Sequence, residues 1–185
     1  MRFPSVLCIG AAAIDRIATT EARPARLSTS NPGRIRAYPG GAARNMAEAL
    51  ARLGVPASLA AMIGADSDGD AILASLRGTG VDVTSVQRSS VHATPGYLAI
   101  HDGGGDIVLG VADMVAAETA PAALVLDALA RLPDALVLAD ANLGTPALET
   151  LARSGRRLAA CAISVEKSQR LRPLLGHIET LFLNR

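Results

Sequence analysis

Apolar and polar positions along the chain follow two alternating rhythms. Short, nearly continuous apolar runs near 5–10, 57–63, 135–140, 157–163 and 180–183 have the length and aliphatic content of strands covered on both faces. Between them, apolar residues recur at helical spacing near 42–53, 69–78, 121–131, 145–154 and 168–175. In the first of these, Met46, Leu50 and Leu53 share a side, Glu48 and Arg52 take the other, and Gly54 is placed as a stop. Alternating strands and helices predict an α/β layer architecture with a largely parallel sheet. Short strand candidates at 14–18 with 34–38, and at 97–101 with 107–111, break this rhythm. The second pair flanks an Asp-Gly-Gly-Gly-Asp hairpin signal at 102–106. Their insertion between elements of the main alternation predicts a small separate sheet.

Composition narrows the chemistry. With 185 residues, half of them hydrophobic, the chain can bury one domain's core plus an appendage. Two Phe, two Tyr and no Trp mean that this core is built from Ala, Leu, Val and Ile. A balance of 18 basic and 17 acidic residues gives no electrostatic reason to expect nucleic acid or an anionic membrane, and points to a small-molecule ligand. No run of about 20 apolar residues is available to span a bilayer, and the apolar run at Val6–Ile9 is too short for a signal peptide. A reduced cytoplasmic setting is the default expectation. Cys8 and Cys161 lie in strand-like runs and read as buried free thiols. His92, His101 and His177 are scattered without ligand spacing, so no metal site is assigned.

The richest stretch is Pro-Gly-Gly-Ala-Ala-Arg-Asn-Met-Ala at 39–47. Gly40 and Gly41 let the backbone approach a ligand, the helix start is expected to offer unpaired N–H donors, and the Asn45 amide both donates and accepts, which suits sugar hydroxyls. A bare helix-start glycine pair fits the same pattern without any ligand. Arg44 either stiffens the helix start or approaches the ligand. Asp15, after the first strand, reads as a solvated strand end or as an acceptor for two hydroxyls. Asp140 and Asn142 follow the third run, and Asn184 the last, where open α/β sheets bind ligands; Asp140 or Asn142 could equally cap the next helix. The dinucleotide and P-loop glycine patterns are absent, as is the Gly-x-Ser-x-Gly elbow. An EF-hand starting at Asp66 fails because Ala71 and Arg77 stand where Gly and Glu are required. Asp66 or Asp68 is expected to cap the following helix.

Gly40-Gly41, three residues, Asn45, a helix ending in Leu53-Gly54, an apolar strand and then Gly64-Ala65-Asp66 together resemble the first signature of the ribokinase-like (PfkB) sugar kinases. The resemblance extends over nearly the whole chain. It implies a three-layer ribokinase-like α/β fold, here truncated, whose inserted strands form a lid over the sugar and a possible homodimer contact. It also implies ATP and magnesium as cofactors. Asp15, Gly40, Gly41 and Asn45 would hold the sugar, a residue near Asn142 would line its site, and Asn184 would begin an Asn-x-x-Glu element near the phosphates. The family's Gly-Ala-Gly-Asp element, which carries the catalytic Asp, does not occur in these 185 residues. The chain therefore reads as the N-terminal part of one such domain, with the base expected beyond Arg185. Either a complete parent enzyme is a sugar or nucleoside kinase, or this chain is a non-catalytic binding or dimerising remnant. The segments at 30–33, 43–48, 113–114, 140–143 and 164–167 resemble the pseudouridine kinases within the family. That likeness nominates Asn31, Asp113 and Asn142 to meet a uracil edge. One departure is Ala162-Ile163, where the subfamily pattern has Asp-Pro.

Overall fold

Residues 4–183 are described in a computed structural model of the chain, and Asn184 lies outside them. Strand β1 (Val6–Ile9) is the centre of a six-stranded, wholly parallel sheet. The other members are β4 (Ala57–Gly64), β5 (Asp82–Ser89), β8 (Leu136–Asp140), β9 (Leu158–Cys161) and β10 (Ile178–Phe182), in the order β10-β9-β8-β1-β4-β5. Val6 stands opposite both Ala57 and Leu136, so β1 bonds a neighbour on each side. Alternate residues of β1 feed two cores. Leu7 and Ile9 pack with α4 (Ala122–Arg131), α5 (Thr145–Arg153) and the segment at 169–177. Val6 and Cys8 pack with α1 (Ala42–Arg52) and α2 (Ser67–Leu76) on the opposite face. Two layers of helices thus enclose one sheet, which explains why the β1 run is apolar at every position.

The inserted segments form a second sheet, β3 (Gly33–Gly40), β2 (Ala13–Thr20), β6 (Gly96–His101) and β7 (Ile107–Asp113), ordered β3-β2-β6-β7. Strands β2 and β6 run parallel at its centre, and β3 and β7 pair antiparallel at its edges. The separate sheet expected from the broken rhythm is therefore present, with each strand longer than its apolar core suggests.

Three features differ from the sequence expectation. Strand β5 carries few apolar residues, with Val83 and Val86 packed against the core, because it is an edge strand bonded to β4 alone. The helix expected near 168–175 is a four-residue α6 (Val165–Ser168) continuing as a 3₁₀ helix through 169–177, with Pro173 inside it. Proline cannot donate the i→i−4 bond that an α-helix needs there. A short α3 (Val115–Glu118) follows β7. Cys8 is buried as expected, whereas Cys161 is only partly so, and both are free thiols.

Candidate functional site

The chain leaves the carboxyl end of β1, crosses to the second sheet through β2, returns along β3, and enters α1 through Gly40 and Gly41. Gly41, the N-cap of α1, has φ 92°, and a Cβ there would meet Ala11 O, Ala12 Cα and Ala13 N at 2.6–2.8 Å. Only glycine fits that turn without moving backbone. A Cβ on Gly40 would collide instead with the carboxylate of Asp15. Asp15 and Gly40 are therefore in direct apposition, as the register Ala13↔Gly40 and Asp15↔Tyr38 requires of residues on one face of a strand pair.

Asp140, at the end of β8, is fully buried beneath this junction. Its Oδ2 accepts from the backbone N–H groups of Ala11 and Ala43, both at 2.9 Å, and its Oδ1 from Asn142 N–H at 2.8 Å. Burial pushes this carboxyl up, and the donors around it oppose that shift. The N–H of Arg44 meanwhile donates to Ala11 O at 3.3 Å. The expectation that the helix start presents unpaired N–H donors to a ligand is thus corrected at Ala43 and Arg44. Asp140 does cap a helix, but it caps α1 across the sheet rather than the next helix in sequence. That next helix, α5, starts at Gly144 without a side-chain cap.

The polar groups left to face the junction are side chains. Asp15 is half-buried, and desolvation raises its carboxyl while the charge of Arg44 pulls it back. Arg44 is buried within α1. Its Nη1 donates to Asn45 Oδ1 at 3.0 Å and pairs with Glu48 Oε2 at 2.5 Å, and its Nη2 donates to Ser75 Oγ of α2 at 3.0 Å. Asn45 itself is exposed. Arg44 thus bonds Asn45 and acts on the Asp15 carboxyl through its charge, while Asp15 lies against Gly40.

The other nominated residues lie elsewhere. Asn31 closes a loop on itself, its amide bonded to the backbone of Arg26 and Thr29. It follows the Thr20↔Gly33 end of the β2–β3 pair, five positions along β2 from Asp15, which is roughly 17 Å of strand. Asp113 pairs with Gly96, which pairs with Ile14, so its register puts it on the opposite face of the second sheet from Asp15. There it borders a shallow groove with Arg16, Gly96 and Val111. Asn142 is buried, and Lys167 Nζ donates to its Oδ1 at 2.5 Å. Lys167 and Arg170 converge on Glu118 at 3.8 and 2.9 Å, and burial, which outweighs the pull of Glu118, lowers the Lys167 ammonium. Ala162-Ile163 precedes this cluster as a tight turn, with Ile163 at φ 65° and Ser164 N–H donating to Ala162 O at 2.8 Å.

Sequence reasoning passed over the Asp140 clamp and Lys167. The first joins residues 97 and 129 positions apart, which no local pattern encodes. The second sits in a run already singled out, yet its contact with Asn142 arises only because β8 and β9 are neighbours.

Residues 4–185 match the family described as pfkB family carbohydrate kinase. The chain belongs to this family. It is 30% identical over 187 residues to the pseudouridine kinase of Escherichia coli K12, covering 97% of this chain and 58% of that protein. Among solved structures, a carbohydrate kinase from Agrobacterium tumefaciens superposes with a TM-score of 0.83 at 31% identity, over 98% of this chain and 60% of that one. An Arabidopsis thaliana ribokinase solved with ribose and ATP matches at TM-score 0.75 and 19% identity, over 100% of this chain and 61% of its own, which is a likeness of fold. The architecture is thus the ribokinase-like one. The pfkB chain described here spans about half the length of the curated relatives it matches.

Proposed function

We propose that this pfkB chain carries the sugar-binding part of an ATP-dependent kinase that phosphorylates a ribosyl hydroxyl, with pseudouridine 5′-phosphorylation as the specific reaction. The observation that carries the reading is the apposition of the Asp15 carboxylate to Gly40 at the start of α1, where Arg44 bonds the Asn45 amide. An acceptor beside a donor suits two neighbouring hydroxyls of a ribose. The likeness to a pseudouridine kinase supports the base. In the transfer, the 5′ oxygen attacks the γ-phosphorus, the bond to ADP breaks, and the hydroxyl proton passes to a base. The family's Gly-Ala-Gly-Asp element that would supply this base is not among the 185 residues, so the chain by itself is assigned binding rather than turnover. Among the described residues no group of three or more His, Cys, Asp or Glu could hold a metal ion. Asn184, assigned to the nucleotide side, lies outside the described residues.

A second reading has its own support. Asn31 is committed to its loop, Asp113 lies on the other face of the second sheet, and Asn142 is held by Lys167. The ribosyl grip therefore stands without a visible base contact, which also fits a kinase for ribose, another sugar or a purine nucleoside, or a binding remnant. For partners, Ile35, Tyr38, Ile107, Leu109 and Val111 are exposed along the edge strands of the second sheet, which supports a homodimer through the lid. Among the described residues no helix is long and apolar enough to cross a membrane.

The test is calorimetric titration of the chain with pseudouridine, D-ribose and adenosine, beside turnover by the protein at its full genomic length. Asp15→Ala and Asn45→Ala are each expected to weaken binding by about 1–3 kcal/mol, the range for leaving a buried polar partner unpaired. Higher kcat/KM for ribose or adenosine than for pseudouridine would reject the base assignment. Unchanged affinity in both variants would reject the site.

A further inference from the structure

We infer that Arg44 is a positioning residue: it holds the Asn45 carbonyl oxygen so that the amide NH2 is the group Asn45 presents to a sugar, beside the acceptor Asp15. This rests on the ribosyl-binding reading above and extends it to a residue that would not touch substrate. A guanidinium has five N–H donors and no acceptor. The Asn45 atom 3.0 Å from Arg44 Nη1 must therefore be the oxygen, and the NH2 is turned away from it. The guanidinium that sets this choice is itself immobilised. Its side chain is 8% exposed, Glu48 Oε2 holds Nη1 at 2.5 Å, and Ser75 Oγ accepts from Nη2 at 3.0 Å. Ser75 is pinned in turn, since its hydroxyl donates to Ile72 O at 2.6 Å. Side chains at adjacent helical positions normally diverge, so an Arg44–Asn45 contact needs such external support.

Two consequences follow. The site has a fixed polarity, donor at Asn45 and acceptor at Asp15, and accepts a hydroxyl pair in one sense: one hydroxyl donates to Asp15 while its neighbour accepts from Asn45. The same guanidinium is the charged neighbour that draws the half-buried Asp15 toward its ionised form. The other titratable groups beside Asp15 are Tyr38 and Tyr97, opposite it in β3 and β6. Arg44 Nε is buried with no partner among the described residues, so this cation is held by its Nη groups alone. Lysine, with a single ammonium, cannot replace that fork.

The experiment uses NMR on the ligand-free chain, observing the Asn45 side-chain NH2 pair and the Asp15 carboxyl carbon, for wild type, Arg44→Lys, Arg44→Gln and Ser75→Ala. Arg44→Lys is expected to move the Asn45 NH2 resonances toward those of a solvent-exposed amide while leaving the Asp15 titration near its original midpoint. Arg44→Gln should do both: free the amide and raise the pH at which Asp15 titrates. Ser75→Ala should give a smaller displacement of the amide. Should Arg44→Gln fail to fold because Glu48 Oε2 loses its buried cation and keeps only Arg52 on Oε1, the double variant with Glu48→Gln removes that carboxylate. Asn45 NH2 resonances unmoved in both Arg44 variants would overturn the proposal. A separate arm titrates pseudouridine and D-ribose into Asn45→Asp, which keeps an oxygen for Arg44 but offers no donor. Its affinity is expected to fall on the order of tenfold to a hundredfold with the melting temperature retained. Wild-type affinity in Asn45→Asp would overturn the donor role. Should wild type bind neither ligand, the ribosyl reading fails, while the NMR arm still decides whether Arg44 orients the amide.

Discussion

Replacing Asp140 by asparagine tests whether one buried carboxylate ties the two sheets to helix α1. The carboxylate serves three backbone donors, Ala11 and Ala43 on Oδ2 and Asn142 on Oδ1. An asparagine of the same shape keeps one oxygen, so its NH2 must face at least one N–H. One unpaired buried N–H costs about 1–3 kcal/mol, and the two surviving bonds lose charge assistance at roughly 1 kcal/mol each. Removing a charge that burial disfavours returns part of this, leaving a net destabilisation of about 2 kcal/mol. At this chain length that is a fall in melting temperature on the order of 4–8 °C. Denaturant unfolding measures the loss, and amide exchange locates it: the Ala43 N–H should exchange faster than the core strands do. If Asp140→Asn proves as stable as wild type within about 0.5 kcal/mol, with Ala43 still protected, the carboxylate is not what holds the start of α1.

The neighbouring glycines should separate binding from stability. Gly41→Ala places a side chain at φ 92° against backbone atoms and is expected to cost about 1–3 kcal/mol in thermal unfolding. In Gly40→Ala the new Cβ meets the Asp15 carboxylate first, so it should displace that side chain and weaken ribosyl binding with less change in melting temperature than Gly41→Ala; unchanged binding would remove Asp15 from the site. Burial works against the charge of Asp66, but bonds from Thr94 Oγ1, Thr94 N–H and Gly69 N–H, with the charge of Arg88, hold its carboxyl below the usual range. A depressed carboxyl stabilises the fold above its unfolded pKa of about 3.9, and this contribution is lost as pH falls through the folded value. Thr94→Val should therefore cost about 1–2 kcal/mol at neutral pH and flatten the acid limb of the stability profile; a profile parallel to wild type would refute this.

What could be read from sequence follows from the range of the interaction involved. The parallel core was legible because strands covered on both faces read as nearly continuous apolar runs, as β1 does and β4 does save for Ser58. The second sheet was legible because its short strands interrupt the alternation. Strand β5 was not, since an edge strand paired on one side tolerates Asp82, Thr84, Gln87 and Arg88. The end of the helix expected near 168–175 turned on Pro173, whose effect on helix type depends on the packing of Leu171 and Leu174 beneath it. At the candidate site, Gly40, Gly41 and Asn45 stand out by motif spacing and Asp15 by its place after the first strand and by the family resemblance, and the structure sets Asp15 against Gly40 through strand register. Asn31 illustrates the converse: its sequence neighbours suggested a ligand role, yet an asparagine in a polar loop satisfies its amide most readily on nearby backbone, here that of Arg26 and Thr29.

The clamp and the side-chain pair together constrain how a ribosyl ligand would lie. Helix N-termini attract anions when their N–H groups are free. Here Ala43 N–H is already bound to a carboxylate and Arg44 N–H to Ala11 O, and Asp15 adds another carboxylate beside Gly40. A phosphate brought to this junction would meet Asp15 rather than open donors. The nearby cation, Arg44, is occupied with Glu48, Ser75 and Asn45. A sugar gripped by Asp15 and Asn45 is therefore most stable with its ring hydroxyls at this junction and the oxygen that accepts phosphate directed away from it. Along the carboxyl ends of the same sheet, β8 and β9 lead to Lys167 and Arg170, which pair with Glu118, while Asp140 and Glu166 also act on Lys167. On the ribosyl reading, attack by the 5′ oxygen is favoured over the ring hydroxyls because the latter are committed to Asp15 and Asn45.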